Sequence, residues 1–449
     1  MLNEAVTHYH ELLNDHDLAQ SSLKLLDEGF DRAKLIFGGR RLSPYLRPHF
    51  VTEDDFARVV RICETVWSAI EKVKDAAVAD ESLLDELGMT PIERELAKID
   101  PGYRFVSPTS RLDSFLTDEA YSFVELNGES PAGIAYADAA FEIFEQLPVM
   151  QRFKERYNVR RFHGRPLMLK VLIDCYEEFL GRKPERAPHI AIVDLKGLPT
   201  QKEFELFREY FESQGYPSVI ASPDELEFID GRLRVRDFEI DIVYKRLLVN
   251  EYLPIIAEQP ALLDAYRAGA VCMVNGFRSK IIHKKALFAV LTDARHKKLF
   301  TTDEQQMIAA HVPWTRGVRA GKSDYFGKEI DLLEFIGEHR DRLVLKPNDD
   351  YGGHGIYIGW NDEIGWDEAI HNALANGDYL VQERVPTARE TFPALTPDDT
   401  IQFVEQLVDL DPLLFNGKVG AAFTRLSSNE LANVTAGGGM VPTFIIQKR

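Results

Sequence analysis

A glycine-rich loop between two short apolar strands constrains the fold more than any other feature of this chain. The stretch LVLKPNDDYGGHGIYIGW, residues 343–360, predicts a strand ending near Lys346, a loop with Gly352, Gly353 and Gly355, and a second strand. Glycines let the backbone approach a phosphate group closely and direct its N–H groups at the oxygens. Lys346 would bring an ammonium group to the same oxygens. The stretch therefore predicts a phosphate-binding loop that lies between two strands.

Two familiar phosphate motifs do not fit. The glycines from Gly353 to Gly359 lack the GxGxxG spacing, and apolar β-type residues follow where a dinucleotide site needs a helix. The segment GVRAGKS at 317–323 is one residue short of the Walker spacing, and Arg316 stands where the first glycine belongs. A dinucleotide-dependent α/β enzyme remains an alternative, and it requires a helix directly after Gly355.

The charge balance excludes a general affinity for nucleic acid. The 449 residues include 53 Lys and Arg against 72 Asp and Glu, a formal net charge of -19, and such a surface repels phosphate backbones. Three isolated cysteines form no disulfide or zinc pattern and favour a reducing compartment: Cys63, Cys175 and Cys272. Glu4 and His8 interrupt the N-terminus where a secretory signal needs basic and apolar residues, and no stretch reaches the roughly 20 apolar residues of a membrane span. We therefore predict a cytoplasmic protein without membrane or nucleic-acid partners.

Apolar periodicity predicts helices first and a small parallel sheet later. Residues 1–100 are predicted to be helical, with one helix starting after Thr52. From about residue 186, HIAIVDL and PSVIAS predict two strands around a helix. Thr200 and Glu203 have the spacing of a capping box that would open this helix.

A predicted hairpin carries the second chemical feature. RLDSFL and YSFVELN predict two strands around a turn near Asp118. Glu125 and Asn127 are two residues apart on one strand and share a face. On the other strand, Asp113 is expected close to Glu125, and Arg111 roughly opposite Glu125. Carboxylate and amide oxygens suit magnesium, so the hairpin predicts a metal site beside a guanidinium group.

These features together resemble the ATP-grasp enzymes. In that family a glycine loop between two strands folds over the triphosphate, and an apolar strand that ends in a Gln-Glu pair meets the adenine. The segment YLVQERV supplies such a pair at Gln382 and Glu383. Because Arg111-x-Asp113 and Glu125-x-Asn127 precede the loop, the chain resembles the circularly permuted branch, typified by the synthetase domain of glutathionylspermidine synthetase.

Further matches to this branch follow in order along residues 105–449: Tyr244 and Arg246 in DIVYKR, Lys285-Ala286, VPWTR at 312–316, Arg425 in AFTRLS, and the glycines of AGGG at 436–439. The loop NDDYGGHG departs from the G-R-E-G form of glutathionylspermidine synthetase, so the substrates cannot be carried over. An amidase-like N-terminal domain with a Cys/His pair is also missing.

The resemblance implies an α/β (α+β) circularly permuted ATP-grasp fold, with a pre-ATP-grasp subdomain and a helical N-terminal region. The predicted segments are 1–100, helical; 101–185, a lobe with the metal ligands; 186–280, the pre-ATP-grasp-like α/β subdomain; 281–390, the nucleotide lobe with the glycine loop; and 391–449, C-terminal strands that complete the ATP-grasp lobe.

The resemblance also implies an ATP-dependent carboxylate–amine ligase that works through an acylphosphate, with ATP and Mg²⁺ as cofactors. Its partners would be small-molecule or peptide acids and amines, and a homo-oligomer stays open. An idle ATP-grasp module used as a scaffold is the alternative. The implied roles are metal binding by Asp113, Glu125 and Asn127; ATP binding by Lys285 (or Lys284), Lys346, Gly352, Gly353, Gly355, Gln382 and Glu383; and catalysis by Arg111, Arg246 and Arg425. Arg425 would either stabilise the acylphosphate or hold the acid, and Arg246 would orient the acid.

Overall fold

The computed structural model describes residues 1–37, 39–350, 352–361, 365–396, 400–430 and 438–449. Within these ranges the chain forms helices and strands in mixed order, which makes it an α+β protein. The helices are α1 Leu2–Leu12, α2 His16–Ala33, α3 Glu53–Ala79, α4 Glu81–Glu86, α5 Pro91–Lys98, α6 Ile134–Gln146, α7 Pro148–Phe153, α8 Gly164–Leu180, α9 Gln201–Ser213, α10 Val249–Tyr252, α11 Ala261–Arg267, α12 Lys280–His283, α13 Ala286–Thr292, α14 Thr302–His311, α15 Leu332–Glu338 and α16 Trp366–Asn376.

The strands are β1 Ile36–Phe37, β2 Arg40–Arg41, β3 His49–Thr52, β4 Thr109–Leu116, β5 Tyr121–Asn127, β6 Tyr157–Arg160, β7 Ile190–Val193, β8 Ser218–Ala221, β9 Glu227–Ile229, β10 Arg232–Val235, β11 Phe238–Glu239, β12 Ile242–Lys245, β13 Cys272–Val274, β14 Thr315–Gly317, β15 Lys322–Tyr325, β16 Lys328–Asp331, β17 Leu343–Pro347, β18 Tyr357–Ile358, β19 Tyr379–Glu383, β20 Ala388–Leu395, β21 Ile401–Phe415, β22 Lys418–Ser427 and β23 Gly439–Lys448.

A large, mainly antiparallel sheet carries the predicted hairpin. Its order is β3-β23-β22-β21-β4-β5, with β20 paired to β21 and β6 to β23. The hairpin β4–β5 is present, but its register differs from the expectation. Asp113 pairs with Glu125, whereas Arg111 pairs with Asn127 and not with Glu125, and an irregularity follows Asp113. One extra residue in a strand shifts all later pairs, and residue spacing alone does not reveal it.

The N-terminal region is not wholly helical, contrary to the prediction. Thr52 does cap α3, and its hydroxyl accepts a hydrogen bond from the backbone N–H of Asp55. Directly before it, β3 pairs in parallel with β23 at the far end of the chain. The run HFVT is short, and its strand form depends on a partner almost 400 residues away. Strand β3 of the N-terminal region therefore forms one edge of the large sheet.

A four-stranded parallel sheet occupies the middle of the chain, as predicted. Its order is β13-β12-β7-β8, and all its pairs are parallel. The capping box predicted at the start of α9 is wrong, because Thr200 forms no side-chain cap. The Glu203 carboxylate instead accepts backbone N–H groups of Gly133 and Ala135 at 2.8 and 3.0 Å, at the start of α6. A buried carboxylate is stabilised by the free N–H groups of a helix start.

A second four-stranded sheet, β14-β19-β17-β18, surrounds the glycine loop. Strand β18 follows the loop and pairs antiparallel with β17. No helix starts after Gly355 within this described stretch, so the dinucleotide alternative does not apply. A buried apolar core between this sheet and the helices α15 and α16 contains Trp314, Phe335 and Trp366.

Two remaining predictions concern the C-terminal glycine turn and membrane-spanning helices. The first half of the glycine turn predicted at 436–439 lies outside the described residues. Among the helices that the structure describes, none combines the length and apolar character needed to cross a membrane.

Candidate active site

A cavity of about 480 Å³ brings most of the predicted site residues together. It runs from the loop sheet, past the β4–β5 hairpin, to the carboxyl ends of the parallel strands. The predicted residues that line it are Arg111, Asp113, Glu125, Asn127, Arg246, Lys346, Gly352, Gly353, Gln382, Glu383 and Arg425. Distant parts of the chain therefore meet at one place, and the arrangement fits a ligand that carries several anionic groups.

The hairpin presents one accessible carboxylate and one amide. The Glu125 side chain is 25% exposed, whereas that of Asp113 is 1% exposed. The Asn127 Nδ2 donates to Asp113 Oδ1 at 3.0 Å and to Glu125 Oε1 at 3.4 Å. The amide oxygen of Asn127 has no hydrogen-bond partner among the described residues. Glu125 and Asn127 thus offer the oxygen ligands of the hairpin.

Asp113 is committed to two arginines. Its carboxylate accepts Nε and Nη2 of Arg111 at 2.7 and 3.1 Å, and Nη2 of Arg425 at 2.5 Å. Burial raises the pKa of Asp113, but these two guanidinium groups outweigh burial and hold the pKa below its ordinary value. Because both oxygens are occupied, the geometry favours Asp113 as the group that positions the arginines over its predicted role as a metal ligand.

Two further aspartates complete an arginine-bound cluster. Asp409 and Asp411 lie on β21 next to β22, and their carboxylates lie within 4.8 Å of that of Asp113. Arg425 forms ion pairs with both, with its Nε 2.9 Å from Asp411 Oδ2. Burial raises the pKa of Asp409 to about 7 and that of Asp411 well above its usual range. Three acids thus surround one guanidinium group.

Two of the three lysines lie beside Glu125, and the third is turned away from it. Lys346 Nζ donates to the Val124 carbonyl at 3.0 Å, and burial lowers the pKa of Lys346 to about 8. Lys285 Nζ lies 3.7 Å from Glu125 Oε2. Lys284 Nζ instead pairs with Asp349 at 2.8 Å and with Glu93 at 3.2 Å. The geometry therefore favours Lys285 over Lys284 as the second cation of the site.

The glycine loop has the backbone form that the sequence predicts. Gly352, Gly353 and Gly355 have φ values of 72°, 80° and 66°, in the left-handed region that glycine tolerates best. A Cβ at Gly355 would lie 2.7 Å from the Tyr379 hydroxyl, which donates to the Gly355 carbonyl at 3.0 Å. Gly355 is thus needed for close packing, while the other two glycines line the cavity.

The Gln-Glu pair lies at the end of β19, between two neighbouring strands. Gln382 Nε2 donates to the Thr315 hydroxyl at 3.1 Å, and the Tyr325 hydroxyl donates to Glu383 at 2.8 Å. Val344, Ile358 and Trp360 form the adjoining apolar wall. This end of the cavity suits a flat, partly apolar ring.

Arg246 lies at the other end, where the parallel sheet reverses its strand order. It follows β12, beside Asp194, which follows β7. Its Nη1 donates to the Pro131 carbonyl at 2.6 Å, and its Nη2 lies 3.4 Å from Glu203. Burial raises the pKa of Asp194 to about 6. Ligands of open α/β sheets bind at such reversal points, so this end suits a polar substrate group.

Three polar residues near the site were not predicted. Asp194 follows a buried parallel strand, and the rule that ligands bind at carboxyl ends could have found it. The spacing of Thr200 and Glu203 predicts a local capping box, so it does not reveal the contact of Glu203 with the start of α6. His283 has no motif, and only its place in the cavity wall identifies it.

The N-terminal region holds the root of the glycine loop through Asn348. This buried side chain accepts the Ala286 N–H at 2.8 Å and donates to the carbonyl of Leu87 at 3.0 Å and to Asp378 at 2.9 Å. It joins the N-terminal region, the lysine segment and the start of β19. The region thus contributes directly to the shape of the site.

We expect Asn348→Ala to lower the free energy of unfolding by about 3 kcal/mol, because it leaves buried polar groups without partners. Urea unfolding followed by circular dichroism measures the change. Asn14→Ala is the matched control, since Asn14 is exposed, and it should stay within about 0.5 kcal/mol of the wild type. Equal stability of the two variants would contradict the role given to Asn348.

Comparison with solved structures supports the fold. No family profile matches the chain. A glutathione synthetase-like effector from Globodera pallida, solved in its apo form, aligns over 95% of this chain and 96% of its own, with a TM-score of 0.61 and 14% identity. The fold is therefore ATP-grasp-like and α+β, as the sequence predicts.

Two curated relatives share sequence with the chain. A protein of Frankia casuarinae, whose name marks it as a candidate glutamate–cysteine ligase 2-2, is 26% identical over 350 residues, which are 73% of this chain and 37% of that protein. An uncharacterized protein of Synechocystis sp. is 22% identical over 286 residues, 59% of this chain and 54% of that protein. The chain thus spans about a third to a half of the length of these relatives.

Proposed function

We propose that this chain is an ATP-dependent carboxylate–amine ligase of the ATP-grasp type. The observation that carries the proposal is the meeting of Glu125, Asn127 and Lys346 with the glycine loop in one cavity. The name of the Frankia relative, a candidate glutamate–cysteine ligase, agrees with it. The order of the hairpin before the loop supports the circularly permuted branch, to which glutathionylspermidine synthetase belongs.

Magnesium would be held by Glu125 and Asn127. Their oxygens face the cavity on one side of the hairpin, whereas the oxygens of Asp113 are taken by arginines. When bound, magnesium neutralises the charge of the ATP phosphates. Lys346 and Lys285 add two cations beside Glu125, and the loop glycines offer N–H groups to the phosphates.

The remaining residues fit the transfer of a phosphoryl group to an acid. Arg111 and Arg425 are fixed by Asp113, so their charge is already oriented when an acylphosphate forms beside them. Such preorganised charge accelerates phosphoryl transfer more than a protein nucleophile would. The acylphosphate carbon is then attacked by an amine, which forms the amide and releases phosphate. Arg246 and Asp194, at the far end of the cavity, would hold the charged groups of the acid and the amine.

The proposal predicts that Glu125→Gln abolishes magnesium-dependent ATP binding. We expect affinity to fall at least about 100-fold, because even loss of an outer partner of a metal ligand lowers affinity by about 10–100-fold. Titration calorimetry with ATP and Mg²⁺ measures it. Glu119→Gln is the control, since Glu119 is exposed in the turn of the same hairpin.

ADP release with a panel of acids and amines tests the reaction itself. Turnover that needs both an acid and an amine supports the ligase. Tight ATP binding without turnover across the panel would favour an idle module. Unchanged binding in Glu125→Gln would show that the metal site is elsewhere.

A further inference from the structure

His283 is a polar residue in the cavity wall whose ring forms no hydrogen bond to any described residue. It is the last residue of α12 and is 7% exposed. It lines the cavity. Neither ring nitrogen forms a hydrogen bond within the part of the chain that the structure describes, and Nδ1 is completely buried. A buried ring without a partner indicates that a ligand supplies one.

The position of the short helix α12, which carries this ring, is set by its surroundings. Lys280, on the same short helix, pairs with Glu129 at 3.0 Å and with Asp349 at 2.5 Å. On the other side, a Cβ at Gly128 would lie 3.4 Å from the backbone nitrogen of His283. Gly128 follows Asn127, and Asp349 lies at the root of the glycine loop. The backbone of His283 therefore packs against the residue that follows the β4–β5 hairpin, and Lys280 joins the short helix that carries the imidazole to the root of the glycine loop.

The surroundings also determine the protonation state and the tautomer of the His283 ring. Burial lowers the pKa of His283 to about 4, Lys280 and Lys285 act in the same direction, and Glu129 and Asp349 act against it. The imidazole is thus neutral at pH 7 and has one N–H group. A proton on Nδ1 would be a buried donor with no acceptor in reach. The proton therefore belongs on Nε2, which is the nitrogen left to face the cavity.

We propose that the Nε2–H of His283 donates a hydrogen bond to a phosphoryl oxygen, either of the nucleotide or of the acylphosphate formed from it. This inference rests on the proposed ligase function. A neutral donor suits the place, because Lys285 and Lys346 already supply two cations near Glu125. The bond strengthens as negative charge builds up on the transferring group, so it acts mainly on the rate.

Three substitutions separate the two ring nitrogens. The Gln side chain places an N–H donor near the position of Nε2, the Asn side chain places one near Nδ1, and Phe keeps the ring without a donor. We expect His283→Gln to keep kcat/KM for ATP within about threefold of the wild type, and His283→Asn and His283→Phe to lower it by about tenfold or more. His371→Phe, on the exposed face of α16, is the control and should leave kcat/KM unchanged.

A second readout does not depend on turnover. With ¹⁵N-labelled histidine, addition of Mg²⁺ and a non-hydrolysable ATP analogue should shift the Nε2–H signal of His283 and protect it from exchange with water. Unchanged kinetics in His283→Phe, equal activity of the Gln and Asn variants, or no shift with bound nucleotide would overturn the inference. Should His283→Phe not fold, the Gln and Asn pair decides. A wild-type protein that binds no nucleotide would instead refute the proposed function.

Discussion

Replacing Lys346 with methionine should lower ADP release by about 10²–10³-fold, comparable to the loss of one preorganised donor at a developing charge. Methionine keeps the length and most of the volume of the lysine stem. Among the described residues, the buried ammonium forms one hydrogen bond, to the Val124 carbonyl, and burial opposes its charge. Removing that charge should therefore leave the free energy of unfolding unchanged or slightly higher. Loss of turnover together with retained stability assigns the effect to the ligand.

The same lysine predicts how nucleotide affinity depends on pH. Because burial lowers the pKa of Lys346 to about 8, its charged fraction falls as the pH rises through 8. Affinity for Mg²⁺ and ATP should therefore weaken by up to about tenfold between pH 7 and 9. Lys346→Met should lack this decline, whereas the exposed control Lys328→Met should keep it. Calorimetric titrations at three pH values compare the variants, and a decline of equal size in Lys346→Met would exclude Lys346 as its source.

Features that depend on neighbours in sequence were predictable. The β4–β5 hairpin, the glycine loop and the strand that ends at Glu383 each follow from alternation of apolar residues and from turn chemistry. Positive φ values at Gly352 and Gly353 agree with the reason for expecting glycines there. These elements also carry most of the chemistry, so a class of reaction could be inferred from them.

Features that depend on distant contacts were not predictable. Arg425 reaches Asp113 across more than 300 residues of chain, and residue spacing does not reveal this contact. Glu203 has the spacing of a local cap, but its burial against α6 gives it a different partner. The strand β3 depends on β23 in the same way. Spacing along a chain reveals only the partners that are near in sequence. In these cases the residue binds a partner that is distant in sequence.

The cluster around Arg425 leads to the second large prediction. Asp113, Asp409 and Asp411 share this guanidinium group, and all three carboxyl groups are buried. We expect Arg425→Met to lower the free energy of unfolding by about 3–5 kcal/mol, because removal of one partner leaves buried charge uncompensated. Turnover should also be lost, since Arg425 lines the cavity. Urea unfolding at pH 7 measures the first effect and ADP release the second.

The pH dependence of Arg425→Met identifies the cause of its instability. Without the guanidinium group, the folded-state pKa values of the aspartates rise further above those of the unfolded chain. A carboxyl group with a raised pKa contributes stability at low pH and loses it as the pH rises through the folded-state pKa. Asp409 of the wild type already contributes stability in this way, because its pKa is raised to about 7. The loss of stability in Arg425→Met should therefore be larger at pH 8 than at pH 5.

Adding Asp409→Asn and Asp411→Asn to the variant should restore much of its stability without restoring turnover. A deficit that stays constant with pH, or that these two changes do not reduce, would mean that Arg425 stabilises the fold through packing and not through its charge.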